Sequence, residues 1–416
     1  MKGIIKLKNP VKNYSWGSTD FIPALLNLSY NGKTPFAELW VSTHNGGLSV
    51  CTDADNKNQT LKDVIQSDSQ FFLGKVANKY DVLPYLFKIL SASTPLSIQA
   101  HPDKIQAENG FRREQECGIA LDAPERNYKD CNHKPEIICA LTDFTAMCGF
   151  RQIDEIKKLF CAFDCPVTNA VAVLLTDDFA LRNFFTALMY LENESQLITD
   201  YVKKNISLIQ KKYPKYKIVW DLISDFCDEY PGDAAVIAPL YLNVICLKPG
   251  ESFFIPASVL HAYCMGSGVE LMAASDNVLR GGLTKKYIDK QELINILMFK
   301  PFCPVIQNCS GESFFTYDTQ FDTPIDTQID THFDDFKLSR LKNYSGNFPV
   351  YGPVVIFITN GTLIINSITG TDNNKIESLT LTKGMSVFTA SGADRKNIFL
   401  EGNNYTAYTA AVGYIE

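Results

Sequence analysis

The sequence predicts a mainly β protein interrupted by a helical insert, and three observations carry that expectation. Short apolar segments broken by Gly, Pro, Asn and Asp fill residues 1 to about 150 and return after residue 232. Between about 152 and 231, segments such as IDEIKKLF and YKIVWDLISDFCDEY place apolar residues three and four apart, and glycine is absent until Gly232; that spacing is helical. Finally, LKPGESFFIPAS, Leu247 to Ser258, aligns without gaps on LTKGMSVFTASG, Leu381 to Gly392. Each reads as a strand, a Gly turn with Ser two residues later, and a second strand. Two related β units are the economical reading, and paired antiparallel strands at this spacing suit a double-sheet jelly roll.

Taken in order, the first 150 residues are mostly strand, as in AELWVSTHNGG and PYLFKILSASTPLSIQAHPDK, with one or two helices such as one over LKDVIQSDSQFFLG. The insert adds the helical stretch FALRNFFTALMYLENESQLI. Strand text resumes at APLYLNVICLKPGESFFIPASVLHAY. After about residue 300 the chain turns Asp/Thr-rich, then ends in β text from Val350 to Glu416 that includes GPVVIFITNGTLIIN. The second copy of the strand–Gly–strand unit has no histidine in or after it, so a metal bound by one copy belongs to the first.

At 416 residues and 46% hydrophobic content, the chain exceeds one ordinary core and has material for two or three domains. A formal net charge of −7, a pI near 5.4 and dispersed lysines give no basic footprint, which argues against nucleic acid or an anionic membrane as partner. The start, MKGIIKLKNPVKNYSWG, lacks the unbroken apolar core of a signal peptide, and no apolar run approaches the roughly 20 residues that span a bilayer. The expectation is a soluble, cytoplasmic protein. Twelve cysteines, spread from Cys51 to Cys309 with no C-x-x-C pair, read as reduced thiols serving as small hydrophobes.

The familiar catalytic signatures are missing: no G-x-G-x-x-G, G-x-x-x-x-G-K-[ST], H-E-x-x-H or G-x-S-x-G occurs. The five histidines carry more information. His332, in DTHFDDF, reads as a surface residue, and His44, in the turn STHNGG, as a local hydrogen-bonding group. In LSIQAHPDK, a strand that stops at Pro102, Ser97, Gln99 and His101 alternate with Ile98 and Ala100. In NHKPEI, Lys134 and Glu136 alternate with Pro135 and Ile137; in HAY, His261 and Tyr263 share a face. If these faces converge, they bring together two imidazoles, one carboxylate and one amide oxygen, a set that suits zinc with coordination left open. A single β-face histidine is more often a satisfied core residue. Buried lysine and glutamate are rare unless paired or coordinated, so a polar core network and a metal site both stand at this point.

Four motifs, QAHPDK, NHKPE, PASVLHAY and SDNVLRGGLTKKYID, together resemble the type I phosphomannose isomerases, the zinc-dependent mannose-6-phosphate isomerases. NYSWGS, AELWVSTH, LPYLFKILSASTPLSIQ and ERNYKD extend the likeness in order over residues 1 to 300. The resemblance implies two cupin-type jelly rolls plus an α-helical domain: a catalytic roll from residues 1–151 and 232–305, the helical domain at 152–231, and a second roll without metal at 306–416. It implies one Zn2+ per chain on Gln99, His101, Glu136 and His261. It also implies interconversion of mannose 6-phosphate and fructose 6-phosphate through a cis-enediol, with Arg280 stabilising the enediolate. The general base is Glu270, unless that carboxylate is merely paired with a lysine. Lys134 relays protons or binds substrate; Tyr263 also meets substrate, and Ser97, Lys88, Lys104 and Lys286 are candidates for a phosphate clamp. The implied partner is a small sugar phosphate, and the expected state is a monomer. Three positions depart from the family: Gly281 stands where Ala is usual, Lys285 where Pro is usual, and NGGLSV lacks the usual proline. Two competing readings are another metal-dependent cupin enzyme, such as an iron oxygenase, and a non-catalytic sugar-phosphate binder. Gln99 and the arginine motif weigh against the first, and the intact ligands and Arg280 against the second.

Overall fold

The computed structural model describes residues 3–52, 58–176, 179–192, 194–319, 334–349, 351–369, 375–392 and 398–413. Among them, strands fall into sheets of eleven, seven and four members, all of whose named pairings are antiparallel, and helices fill the insert. The first roll is organised by one long strand, His261–Ala273. Its opening residues, His261 to Met265, pair with Phe144–Phe150, and His261 also pairs with Ile98–Ala100. From Gly266 onward it pairs with Tyr85–Ala92, and from Gly268 with Glu136–Ala140. A register shift between Tyr263 and Met265 and the φ of +115° at Gly266 bend the strand from one layer into the other, as corner strands do. Gly266 is required there, because a Cβ would collide with the Asp143 carbonyl and the Phe144 backbone.

The inserted helices Ile153–Phe163, Pro166–Ala172, Ala180–Met189, Glu194–Lys212 and Lys217–Glu229 turn Leu159, Phe160, Phe184, Ile198, Trp220 and Phe226 into one core. That core continues into Ile98, Ala100, Ala262 and Leu279 of the roll. The apolar side of these short strands therefore faces the helices, which leaves the alternate residues facing inward.

The second roll closes its core between the four-stranded and seven-stranded sheets with Leu341, Ile356, Ile358, Leu363, Ile365 and Leu400. The outer face of the seven-stranded sheet packs Phe357, Phe388 and Tyr408 against Val41, Phe87, Ile137 and Leu271, so the two rolls share a core. Ile4–Lys8 pairs with Ser386–Thr389 and with Val50–Cys51. The domain limits drawn from sequence put residues 1–151 wholly in the first roll; this pairing ties the opening strand to the sheet of the second. No local pattern announces a partner almost 400 residues away.

The two strand–Gly–strand units share a backbone device, with Gly250 at φ +90° and Gly384 at φ +86°. The strands flanking each glycine do not pair with each other. Leu242–Leu247 pairs with Phe144–Phe150 while Glu251–Ile255 pairs with Glu136–Ala140; likewise Lys375–Thr382 and Ser386–Thr389 lie in different sheets. Each turn carries the chain from one layer to the other.

The segment LKDVIQSDSQFFLG forms two helices, Leu61–Ser67 and Ser69–Leu73, separated by Asp68, whose carboxylate accepts the Phe71 N–H and starts the second. A further helix, Lys104–Glu116, follows the strand of QAHPDK directly and was not expected. Asp103 and Gln106 form a capping box at its start. His332 lies outside the described residues. Replacing Gly266 by Ala forces a side chain onto a positive-φ corner, and we expect a loss of roughly 1–3 kcal/mol in urea unfolding; wild-type stability would show that the corner is not constrained.

Candidate metal centre and substrate cavity

Three-residue Ile98–Ala100 is the hub of the site. It pairs on one side with His261, opposite Gln99, and on the other with Leu279–Gly282, which sets Arg280 opposite the same Gln99. Glu136 opens its strand beside Met272 and Ile255, and His101 leaves the end of Ile98–Ala100 just before Pro102. The ligand atoms of His101, Glu136 and His261, all buried, lie within 4.8 Å of one another. Nε2 of His101 is 3.3 Å from one Glu136 oxygen, Nε2 of His261 is 3.3 Å from the other, and the Gln99 amide is 3.4 Å from His261 Nε2.

The tautomers follow from the far side of each ring. His101 Nδ1 lies 2.7 Å from the Asn277 carbonyl, and His261 Nδ1 lies 3.0 Å from that of Val259. A carbonyl only accepts, so in each neutral ring the proton sits on Nδ1 and Nε2 is left with a lone pair. Burial, reinforced by Lys134, lowers His101 to about 3, so it remains neutral at ordinary pH. Glu136 stays ionised: burial pushes its carboxyl up, but Lys134, with Nζ 3.3 Å away, holds it well below the usual carboxylate range. The His101 lone pair thus faces a carboxylate, acceptor against acceptor, and His101 Nε2 has no hydrogen-bond partner among the described residues. A divalent cation resolves this conflict, and the donor set fits zinc. Turning the Gln99 amide over, which exchanges atoms of nearly equal size, presents Oε1 as a fourth donor.

Gln99 and Glu136 of this cluster line a cavity of about 720 Å³, while the buried His101 and His261 rings do not reach its wall. Of the sequence-derived candidates, Gln99, Glu136, Lys134, Tyr263, Glu270, Arg280, Lys88 and Lys286 stand in its walls. Lys88 donates to Glu270 at 2.8 Å and lies 3.5 Å from Glu38, whose other oxygen accepts the Trp40 indole N–H at 2.8 Å. Burial works against the Lys88 ammonium, but Glu270 and Glu38 outweigh it and push its pKa up. Burial, with repulsion from Glu136 and Glu38, raises the Glu270 carboxyl against the pull of Lys88. Glu270 is therefore both lysine-paired and in the cavity wall. The Tyr263 hydroxyl lies 3.4 Å from Glu136.

Two candidates stand elsewhere. Lys104 turns its ammonium to the Cys131 carbonyl at 3.0 Å and to Asn132 at 3.2 Å, and neither it nor Ser97 lines the cavity. Residues that the sequence reading passed over take part instead: Glu38 and Trp40, His44 with Asp276 at 3.3 Å, Lys129 and Lys285. Glu38 and Trp40 carry the same i, i+2 alternation as Gln99 and His101, so that signal was present in AELW; Lys129 lies in irregular chain where no period exists. His44 also makes the local contact foreseen for it, accepting from Gly46 N at 3.1 Å. In one arm of the cavity the Lys286 ammonium is pushed down by burial, by Arg280 and by Lys129. Among the described residues no ion pair joins these three cations to a carboxylate, so they form a ready site for an anion.

A family model described as phosphomannose isomerase type I, catalytic domain, matches residues 4–153. The mannose-6-phosphate isomerase of Salmonella typhimurium is 40% identical over 302 residues, covering 71% of this chain and 75% of its own. The human mannose-6-phosphate isomerase is 35% identical over 323 residues, 72% and 74% of the two chains. A crystal structure of the Salmonella typhimurium mannose 6-phosphate isomerase bound to substrate, fructose 6-phosphate, and zinc matches with a TM-score of 0.84 at 31% identity, over 99% of this chain and 100% of that one. A zinc-bound mannose 6-phosphate isomerase matches at a TM-score of 0.82 and 32% identity.

The lone-pair conflict generates a test. Adding Zn2+ at about 1,000 times its dissociation constant to chelator-stripped protein should stabilise it by about 4 kcal/mol, read as a rise in Tm. Glu136→Ala should lose most of that gain; an unmoved Tm in the unsubstituted protein would rule out a metal at this cluster.

Proposed function

The chain belongs to the type I phosphomannose isomerase family, and from that premise we propose that it is a zinc-dependent isomerase interconverting mannose 6-phosphate and fructose 6-phosphate. One observation carries the reading: a single cavity joins Gln99 and Glu136 of the buried donor cluster to an arm whose three cations, Lys129, Arg280 and Lys286, are in no ion pair among the described residues. A sugar phosphate has the matching ends, vicinal oxygens at carbons 1 and 2 and a dianion at carbon 6.

Gln99, His101, Glu136 and His261 hold the ion, one per chain. When bound, zinc polarises the sugar oxygens or a water beside them without redox chemistry. The remaining work falls to side chains. Glu270, buried and with its carboxyl raised towards the working range, takes the proton from carbon 2 of the open-chain aldose and returns it to carbon 1. The electron pair left by that proton forms the carbon 1–carbon 2 double bond of a cis-enediolate, whose negative charge falls on the carbon 1 oxygen. Arg280 faces that charge from the strand beside Gln99, and its half-buried guanidinium is a fixed planar donor. Lys134, between Glu136 and the cavity, passes the proton between the two oxygens. Lys88 keeps Glu270 in place, Tyr263 contacts the sugar, and Lys286 with Lys129 takes the phosphate, a role for which Ser97, Lys88, Lys104 and Lys286 are the candidates from sequence. That no disulfide joins any of the twelve cysteines supports a reducing, cytoplasmic setting.

A coupled assay for fructose 6-phosphate formed from mannose 6-phosphate tests the proposal. Chelation, His101→Ala and Arg280→Ala should each lower turnover by at least about 100-fold. Full turnover by metal-free protein would overturn the zinc reading, and oxygen uptake by an iron-loaded form would replace it with an oxygenase.

The lowered Lys286 pKa sets a direction with pH. The ammonium is charged below that pKa and neutral above it, and the pKa lies under the 10.5 of an ordinary lysine. The KM for mannose 6-phosphate should therefore rise on the alkaline side, earlier than an exposed lysine would dictate. Lys286→Arg, which stays charged, should flatten that limb; a limb unchanged in this variant would assign the titration to another group.

A further inference from the structure

Two of the three cations in the LRGGLTKK segment, Arg280 and Lys286, are held differently. Arg280 is fixed in the sheet by pairing opposite Gln99, whereas Lys286 lies in irregular backbone between Gly282 and Lys290. That stretch contains no proline and opens on two glycines, so it has little stiffness of its own. It nonetheless begins with a demanding turn. Gly282 has φ +136° and Leu283, a buried non-glycine residue, has φ +50°. A side chain at 282 would collide with Ala235.

What holds this turn comes from the chain just beyond the last helix of the insert, Lys217–Glu229. One carboxylate oxygen of Asp233 accepts the Leu283 N–H at 2.7 Å, and Thr284 N–H is a further donor to the same carboxylate. The other oxygen accepts Ala235 N–H at 2.8 Å and caps the 3-10 turn Ala234–Leu240. Capping needs one oxygen only. The second is committed to a loop 50 residues away.

We propose that Asp233 is a positioning residue for the substrate phosphate, its carboxylate holding the Gly282–Thr284 turn so that Lys286 is presented to the cavity. The inference rests on the reading of Lys286 as a phosphate ligand. Asp233 touches no reacting atom. It acts through the loop, from the junction where the chain returns from the helical insert to the roll.

Asp233→Ser separates capping from positioning, since serine can still accept from Ala235 N–H but is too short to reach Leu283. In the zinc-loaded protein, this variant should raise the KM for mannose 6-phosphate and the Ki of inorganic phosphate together by about tenfold, with kcat within about threefold of wild type. Asp233→Asn, which keeps its reach but loses charge, should fall between and serves if the serine variant does not fold. A merely structural role would lower Tm and the active fraction while leaving KM and Ki unchanged, and that result would overturn the proposal. In a double-mutant cycle, Asp233→Ser should add little to Lys286→Ala; full additivity would show that Asp233 does not work through Lys286. Inorganic phosphate binding, followed by calorimetry, reads the same effect without turnover. A wild-type protein that bound phosphate but did not isomerise would sink the enzymatic reading and leave this one standing.

Discussion

The constraint on which the structure depends is a buried conflict between Glu136 and the His101 imidazole. An ionised carboxylate sits 3.3 Å from Nε2 of His101 and of His261, and the His101 nitrogen is unprotonated and has no hydrogen-bond partner among the described residues. Burying a charge without adequate pairing is costly, and among the described residues Lys134 is the cation in contact with the carboxylate. Without a metal, the surrounding fold must hold mutually repelling groups in place. It does so by drawing them from different strands, each fixed by its own pairings, and by donating both Nδ1 protons to backbone carbonyls that do not move independently. The bulge and glycine corner of His261–Ala273 serve the same end, because they let one strand deliver His261 to one layer and Glu270 to the other.

This division explains what was legible in the sequence. Alternation along a strand is local, so Ser97–His101, Lys134–Glu136 and His261–Tyr263 displayed their polar faces without any knowledge of the fold. The outward residues Ile98, Ala100 and Ala262 could be read as apolar but not assigned, since only the tertiary structure reveals that the helices cover them. The helix Lys104–Glu116 escaped because its inward residues are Ala107, Gly110 and Glu114, which make no apolar stripe. Gly110 meets the Tyr128 ring, and Glu114 pairs with Arg126. Its capping box was visible, but a cap without a hydrophobic period is weak evidence of a helix. The pairing of Ile4–Lys8 with Ser386–Thr389 left no trace because register is a property of two segments and neither contains it alone.

The cationic arm was least legible, since irregular chain has no period to read. Its order comes from side chains that bond backbone. Glu114 accepts the N–H groups of Asn127 at 3.2 Å and Tyr128 at 2.9 Å, and the Asn277 carboxamide accepts those of Lys129 at 2.7 Å and Asp130 at 3.2 Å. Asp233 does the same for Leu283. Two loops approach the anion site, one through residues 127–130 and one through Leu283, and three buried or half-buried acceptors from other parts of the chain hold them.

Asn277 joins the two halves of the site. It is fully buried; its main-chain carbonyl receives the His101 Nδ1 proton while its side chain fastens the backbone of Lys129. Its amide nitrogen also donates to the Asp130 and Asn132 carbonyls at 2.9 and 2.8 Å. A displacement of this one residue would rotate a proposed metal ligand and shift a proposed phosphate cation at once. The distance between the two ends of a sugar phosphate is constant along the reaction, so a shared anchor keeps the ends of the site at a matching separation. The rigidity that the buried acceptors confer on otherwise soft loops is thus spent on spacing, which a cluster of well-placed but independent residues would not preserve.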